Sequence, residues 1–129
     1  MTSGETARGP QSSFVTTLVN AAVVGAEDKL ARDTVVLDMR GLVDSFDALV
    51  LTSGRNDRQV RAIAEEVERL VDQALGVKPL RVEGRESAQW IALDYGDVIV
   101  HVFDEESREY YDLEHLWNTA PAMRGEPIV

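Results

Sequence analysis

The stretch Ala48–Gly76, ALVLTSGRNDRQVRAIAEEVERLVDQALG, decides the architecture. Its first residues, Ala48–Thr52, form a short apolar run of the kind found in strands covered on both faces. Asn56 and Gln59 then supply the residue types of an N-cap and its N3 partner in a capping box. Val60, Ile63, Ala64, Val67, Leu70, Val71 and Ala74 recur at helical spacing. Arg61, Glu65, Glu68, Arg69 and Asp72 occupy the opposite face. Gly76 stands where a left-handed residue closes a helix, and Pro79 blocks a restart. A strand followed by a helix and a further strand makes a crossover, so part of the sheet is predicted to be parallel.

Ser13 is the expected N-cap of a first helix over 14–31. Its apolar stripe is Phe14, Leu18, Ala21, Ala22 and Leu30, interrupted at Gly25. Thr34–Asp38 reads as a strand buried on both faces because Val35, Val36 and Leu37 are consecutive and β-rich. Arg40–Phe46 is a loop or a single turn. Leu80–Glu83, Gln89–Asp94 and Asp97–Phe103 are three further strands, and Asp112–Trp117 is a final helical turn. The expected order is α-β-β-α-β-β-β-α. This is one α/β (α+β) domain, a mixed sheet of about five strands packed with helices. Residues 1–13 read as a disordered lead, 14–121 as the domain and 122–129 as a flexible tail.

The hairpin WIALDYGDVIVHVF, Trp90–Phe103, carries an apolar face too many. With Tyr95-Gly96 as a two-residue loop, Leu93 faces Val98, Ile91 faces Val100 and Trp90 faces His101. One face is then Ile91, Leu93, Val98, Val100 and Val102, suited to a core. The other is Trp90, Ala92, Ile99, His101 and Phe103. That second face is either covered by a helix or used as a docking platform, and the pairing leaves both open.

Composition narrows the function. The chain has 129 residues, 44% of them apolar, and a net charge of −10 with pI near 4.5. Such a surface repels nucleic-acid phosphate and suits a basic partner or simple solubility. There is no cysteine, which removes disulfides, zinc–thiolate sites and thiol catalysis. No apolar run approaches the ~20 residues of a membrane span. The first residues, MTSGETARGPQSS, have no apolar region of the secretory-signal type.

Three constellations could carry chemistry. Thr52–Arg58, TSGRNDR, places Ser-Gly between a strand and a helix start, where free N–H groups can hold an anion. It lacks the Walker lysine and the three-glycine dinucleotide pattern, and a turn plus cap explains it. Asp38 and Asp47 lie on or near neighbouring strands, but no D-x-D stands on one strand to hold a catalytic metal. His101 and His115 are the only histidines and show no metal-ligand spacing. His101 reads as a half-buried packing residue. Asp104, Glu105, Glu106, Glu109, Asp112 and Glu114 form an acidic run opposed only by Arg108. Tyr110, Tyr111 and Trp117 are interleaved with it, a pattern suited to protein recognition by rimmed aromatic anchors.

DxxVLDxRG (Asp33–Gly41), DALVLTSGRNDRQVRAIAEEV (Asp47–Val67), Glu83-Gly84, WIALDYGDVIVHVF and REYYDLEHLW (Arg108–Trp117) together resemble the ribosomal silencing factors, or Iojap-like family. The likeness implies a fold similar to nucleotidyltransferases without their catalytic carboxylates. It implies no enzymatic activity, no catalytic residue, no cofactor and no metal. It further implies a cytoplasmic protein, with neither membrane nor sequence-specific nucleic acid as partner, that is a homodimer when free. The expected partner is ribosomal protein L-fourteen on the subunit-joining face of the large ribosomal subunit. Occupying that face would block the small subunit and lower translation when nutrients are scarce. The residues expected to bind are Trp90, Asp94, Tyr95, Asp97, His101, Glu109 and Tyr110. The alternative is a nucleotide-binding or nucleotidyltransferase-like enzyme using the Thr52–Asn56 turn.

Overall fold

The structure is a computed structural model that describes residues 12–117; the expected lead, apart from its last two residues, and the expected tail lie outside them. The elements are α1 (Ser13–Asp28), β1 (Arg32–Asp38), β2 (Ala48–Gly54), α2 (Asp57–Leu75), β3 (Arg81–Glu83), β4 (Trp90–Asp94), β5 (Val98–Asp104), α3 (Glu105–Tyr111) and α4 (Leu113–Leu116). The five strands form one mixed sheet in the order β1-β2-β5-β4-β3. The parallel pair is β2 with β5, while β1–β2, β4–β5 and β3–β4 are antiparallel. The α2 crossover therefore carries the chain past the centre, and β5 returns through the hairpin to lie beside β2.

The central position of β2 explains its composition. All seven of its residues are buried, because neighbours pair with both edges and both faces are covered. β1 is an edge strand. Only its second half is buried, so the expectation of a strand covered throughout holds only for Val36–Asp38.

The inner face of the sheet packs under α1 and α2. Val36, Val50, Val100, Val102, Ile91 and Leu93 meet Leu18, Val19, Ile63 and Val67 there. Removing each such side chain from water contributes roughly 1.5–3 kcal/mol. In α1 the buried stripe is Val15, Leu18, Val19, Ala22, Val23 and Ala26, whereas Phe14 and Leu30 are exposed. The N-cap is Ser12 rather than Ser13: its Oγ accepts from Val15 N–H at 3.2 Å, so Ser13 is already helical. The helix ends at Asp28, and Leu30 lies beyond it with φ of 61°.

Gly25 is a contact point rather than an interruption. A Cβ there would stand 3.0 Å from Val67 Cα, so the missing side chain lets α1 and α2 touch backbone to backbone. At the other end of α2, Asn56 caps as expected, its Oδ1 accepting from Gln59 N–H at 2.9 Å. Gln59 departs from a simple capping box. Its Oε1 accepts from Arg55 N–H, and its Nε2 donates to the carbonyls of Lys29 and Leu30, which fastens the end of α1 to the start of α2.

The hairpin turns one residue later than the sequence geometry placed it. Tyr95 N–H donates to Val98 O at 2.9 Å around a Gly96-Asp97 loop. Gly96 has φ of 91° and takes the first loop position, where a primed turn needs positive φ, and the Asp94 side chain accepts its N–H. Trp90 thus pairs with Phe103, Ile91 with Val102 and Ala92 with His101. The pairs shift by two positions, so each residue keeps its face. Gly84 is the second constrained glycine: φ is 91°, and any Cβ would strike the Trp90 carbonyl.

After β5 the chain forms two short helices where one final turn was expected. Asp104 caps α3 through Ser107 N–H, with Glu105 and Glu106 in the first turn. Asp112, left-handed at φ 49°, ends α3 and caps α4 through His115 N–H.

Candidate functional site

The outer face of the sheet follows from the register. Leu37 pairs with Leu49, Leu49 with Ile99, and Leu51 with His101, and Ser53 pairs with Phe103. Trp90, Ala92 and Asp94 on β4 continue the face, and Arg81 and Glu83 on β3 finish it. Its middle is sealed. Leu37, Met39, Leu49, Leu51 and Phe103 form a second buried cluster, with Val43 and Phe46 of the β1–β2 connection and Leu113 and Trp117 packed around it. The β4 side stays open. Ala92, Asp94 and Ile99, with Arg81 and Glu83, line a recess of about 210 Å³. The surplus apolar face is therefore covered over the β1–β2 half and accessible over the β3–β4 half.

Trp90 stands on the boundary. Its ring stacks on Phe103 at 4.9 Å and meets Tyr111 at 4.6 Å, and Tyr110 stands edge-on to Tyr111 at 5.0 Å. Its Nε1–H donates to His101 Nδ1 at 2.8 Å. This fixes the neutral imidazole with its proton on Nε2. Burial pushes the His101 pKa down to about 4, against a smaller upward pull from Asp94. Near neutral pH the ring is an acceptor for Trp90 and carries no charge. Tyr110 is 81% exposed and Tyr111 half exposed, so the aromatic row runs from a stacked base to a projecting tip.

The expected binding residues separate into groups. Trp90, His101 and Asp94 share the outer face, and Tyr110 joins them through Tyr111. Asp97 is exposed at the hairpin end, where its carbonyl accepts from Asp47 and Ala48 N–H. Glu109 is exposed on α3 and lines a separate cleft with Asp33, Glu105, Arg108 and Glu114. Tyr95 is not part of the surface. The shifted loop turns it to the inner face, where it is 6% exposed within the helix-covered core and burial raises its pKa. Tyr111 was missed as a contact, and its signal was available: Asp104 followed by Glu105 and Glu106 is a helix start, which would have set Tyr111 beside the sheet.

The Thr52–Asn56 turn is engaged structurally. Thr52 and Ser53 lie within β2, Thr52 Oγ1 shares a hydrogen bond with Thr34 Oγ1 at 2.7 Å, and Ser53 Oγ accepts from Arg108. A Cβ on Gly54 would press on Val60 N at 3.1 Å, so the turn packs against α2. Asp38 receives a two-pronged ion pair from Arg40, at 2.9 and 2.7 Å. Asp47 is raised in pKa, first by burial and then by Asp97. Among the described residues, no group of three or more His, Cys, Asp or Glu is arranged to hold a metal ion, and no helix is long and apolar enough to cross a membrane.

Residues 12–128 match the family model described as ribosomal silencing factor during starvation. The chain belongs to the ribosomal silencing factor family. A ribosomal silencing factor from Halalkalibacterium halodurans is 40% identical over 112 residues, covering 87% of this chain and 95% of that one. The crystal structure of protein CV0518 from Chromobacterium violaceum superposes with a TM-score of 0.75 at 37% identity, covering 78% of this chain and 83% of that one. More distantly, the mouse protein named mitochondrial assembly of ribosomal large subunit protein 1 is 27% identical over 89 residues, 67% of this chain and 39% of its own length. Glu83-Gly84 and REYYDLEHLW, two of the quoted family motifs, contain Gly84 beneath the Trp90 carbonyl and the helix that brings Tyr111 to Trp90.

Proposed function

We propose that this silencing factor docks the open half of its outer face on ribosomal protein L-fourteen of the large ribosomal subunit. Bound there, it sterically blocks the small subunit and represses translation under nutrient limitation. It acts in the cytoplasm, where such ribosomes work, and as a binding protein rather than an enzyme. The observation that carries this reading is the aromatic row Trp90–Tyr111–Tyr110 beside a recess edged by Glu83 and Asp94. An anchor of stacked rings with a charged rim is the usual composition of a protein-binding hot spot. A net charge of −10 favours the approach of a basic ribosomal protein and disfavours adsorption to surrounding RNA. The printed names of the relatives, a silencing factor and a large-subunit assembly protein, support the ribosomal context.

Co-sedimentation with separated ribosomal subunits tests the reading. Binding to the large subunit and not the small one is expected, and equal binding to both overturns it. In the free protein the same apolar half-face supports homodimer formation, and a monomer by light scattering across micromolar concentrations would overturn that part. Titration with magnesium and nucleoside triphosphates is expected to give no heat, because the Thr52–Asn56 turn is built into strand and cap.

A further inference from the structure

Arg108 is 8% exposed and sits at the junction of three elements. From α3 its Nη1 donates to Ser53 Oγ on β2 at 2.8 Å. Its Nε and Nη2 donate to the two carboxylate oxygens of Glu114 on α4, at 3.2 and 2.6 Å. A planar guanidinium gripping one carboxylate on two points fixes direction as well as distance. The fork spans the left-handed Asp112 that separates α3 from α4, and the Arg108 carbonyl accepts from Asp112 N–H at 3.0 Å. Tyr110 and Tyr111 follow two and three residues later in the chain. Tyr111 is half exposed and meets the sheet through Trp90, and at the other end of α3 Glu105 accepts from Arg32 of β1 at 3.2 Å.

We propose that Arg108 is the positioning residue of the docking surface: by tying α3 to Ser53 and Glu114 it holds Tyr111 against Trp90 and projects Tyr110. This rests on the docking reading above and adds its control point. Arg108 itself faces Ser53 and Glu114 and need not touch the partner.

The test has a ribosome-free arm and a ribosome arm. In a Trp117→Phe background Trp90 is the sole tryptophan of the chain. Arg108→Ala is expected to raise quenching of its fluorescence by acrylamide as Tyr111 leaves it. Arg108→Lys, which keeps the charge and loses the fork, should fall between. Glu114→Ala, at a more exposed position, serves as the second variant where Arg108→Ala folds poorly, and should shift quenching in the same direction. On the large subunit, Arg108→Ala should weaken binding about tenfold, and should add less than about twofold in a Tyr110→Ala/Tyr111→Ala background, since coupled residues lose affinity together. Unchanged quenching, or losses that simply add, overturns the positioning role. If Trp90→Ala leaves large-subunit binding intact, the docking reading fails instead, and the quenching arm still decides whether Arg108 places Tyr111.

Discussion

The indole N–H of Trp90 donates to Nδ1 of His101 across 2.8 Å, diagonally between adjacent strands whose direct partners are Phe103 and Ala92. Trp90→Phe keeps a ring on Phe103 and removes the donor. It should lower unfolding free energy by about 1 kcal/mol in urea melts, the usual net worth of one hydrogen bond.

Trp90→Ala removes the anchor itself. If the aromatic row is the hot spot, affinity for the large subunit should fall by about 2 kcal/mol or more, near 30-fold, in a sedimentation titration. Circular dichroism on the same variant separates lost binding from lost fold.

Acid should weaken the fold through His101. Its folded pKa, about 4, lies below the ordinary 6.5, so between those values the unfolded chain binds a proton that the native state does not. Stability is then full above pH 6.5 and declines as pH falls toward 4, by at most about 3 kcal/mol from this group. Asp47 runs the other way. Its folded pKa is raised, so protonation at low pH favours the native state and offsets part of the loss. His101→Gln, which offers an acceptor without titrating, should flatten the pH 4–6.5 segment of a melting-temperature profile.

Gly25→Ala should destabilise although alanine is the better helix former by about 1 kcal/mol. The new methyl would lie 3.0 and 3.1 Å from Val67 Cα and N, and backbone cannot swing aside. A net loss of about 1–3 kcal/mol in denaturant unfolding is expected.

Asn56→Ala should cost about 1 kcal/mol by leaving Gln59 N–H without its cap, measured by thermal unfolding.

The sequence made some features plain and others obscure for physical reasons. Periodicity and caps marked α2 to the residue, because a 3.6-residue stripe of Val60, Ile63, Val67 and Val71 has no competing reading. The two faces of the hairpin were legible for the same reason, alternation being insensitive to a loop that moves by one. The loop position was not: Tyr95-Gly96 and Gly96-Asp97 both put glycine where positive φ is tolerated, and the Asp94 side chain receiving Gly96 N–H selects the second. Tyr95 followed that choice into the core. The helix start at Asp104, Glu105 and Glu106 was legible, whereas the tie from Arg108 to Ser53, far back in the chain, has no local signature.

The parallel pairing of β2 with β5 also governs the order of folding. Ala48 meets Val98, and Gly54 meets Asp104. An emerging chain that has reached the end of α2 still lacks the strand that covers one whole edge of β2. Helix-to-helix contact at Gly25 can form early, but the sheet closes only when the last strand arrives. Such long-range pairing slows folding. Until then the unpaired backbone edge of β2 is an open template for other chains, so chains stalled before β5 should aggregate while still attached to the machinery that this family silences.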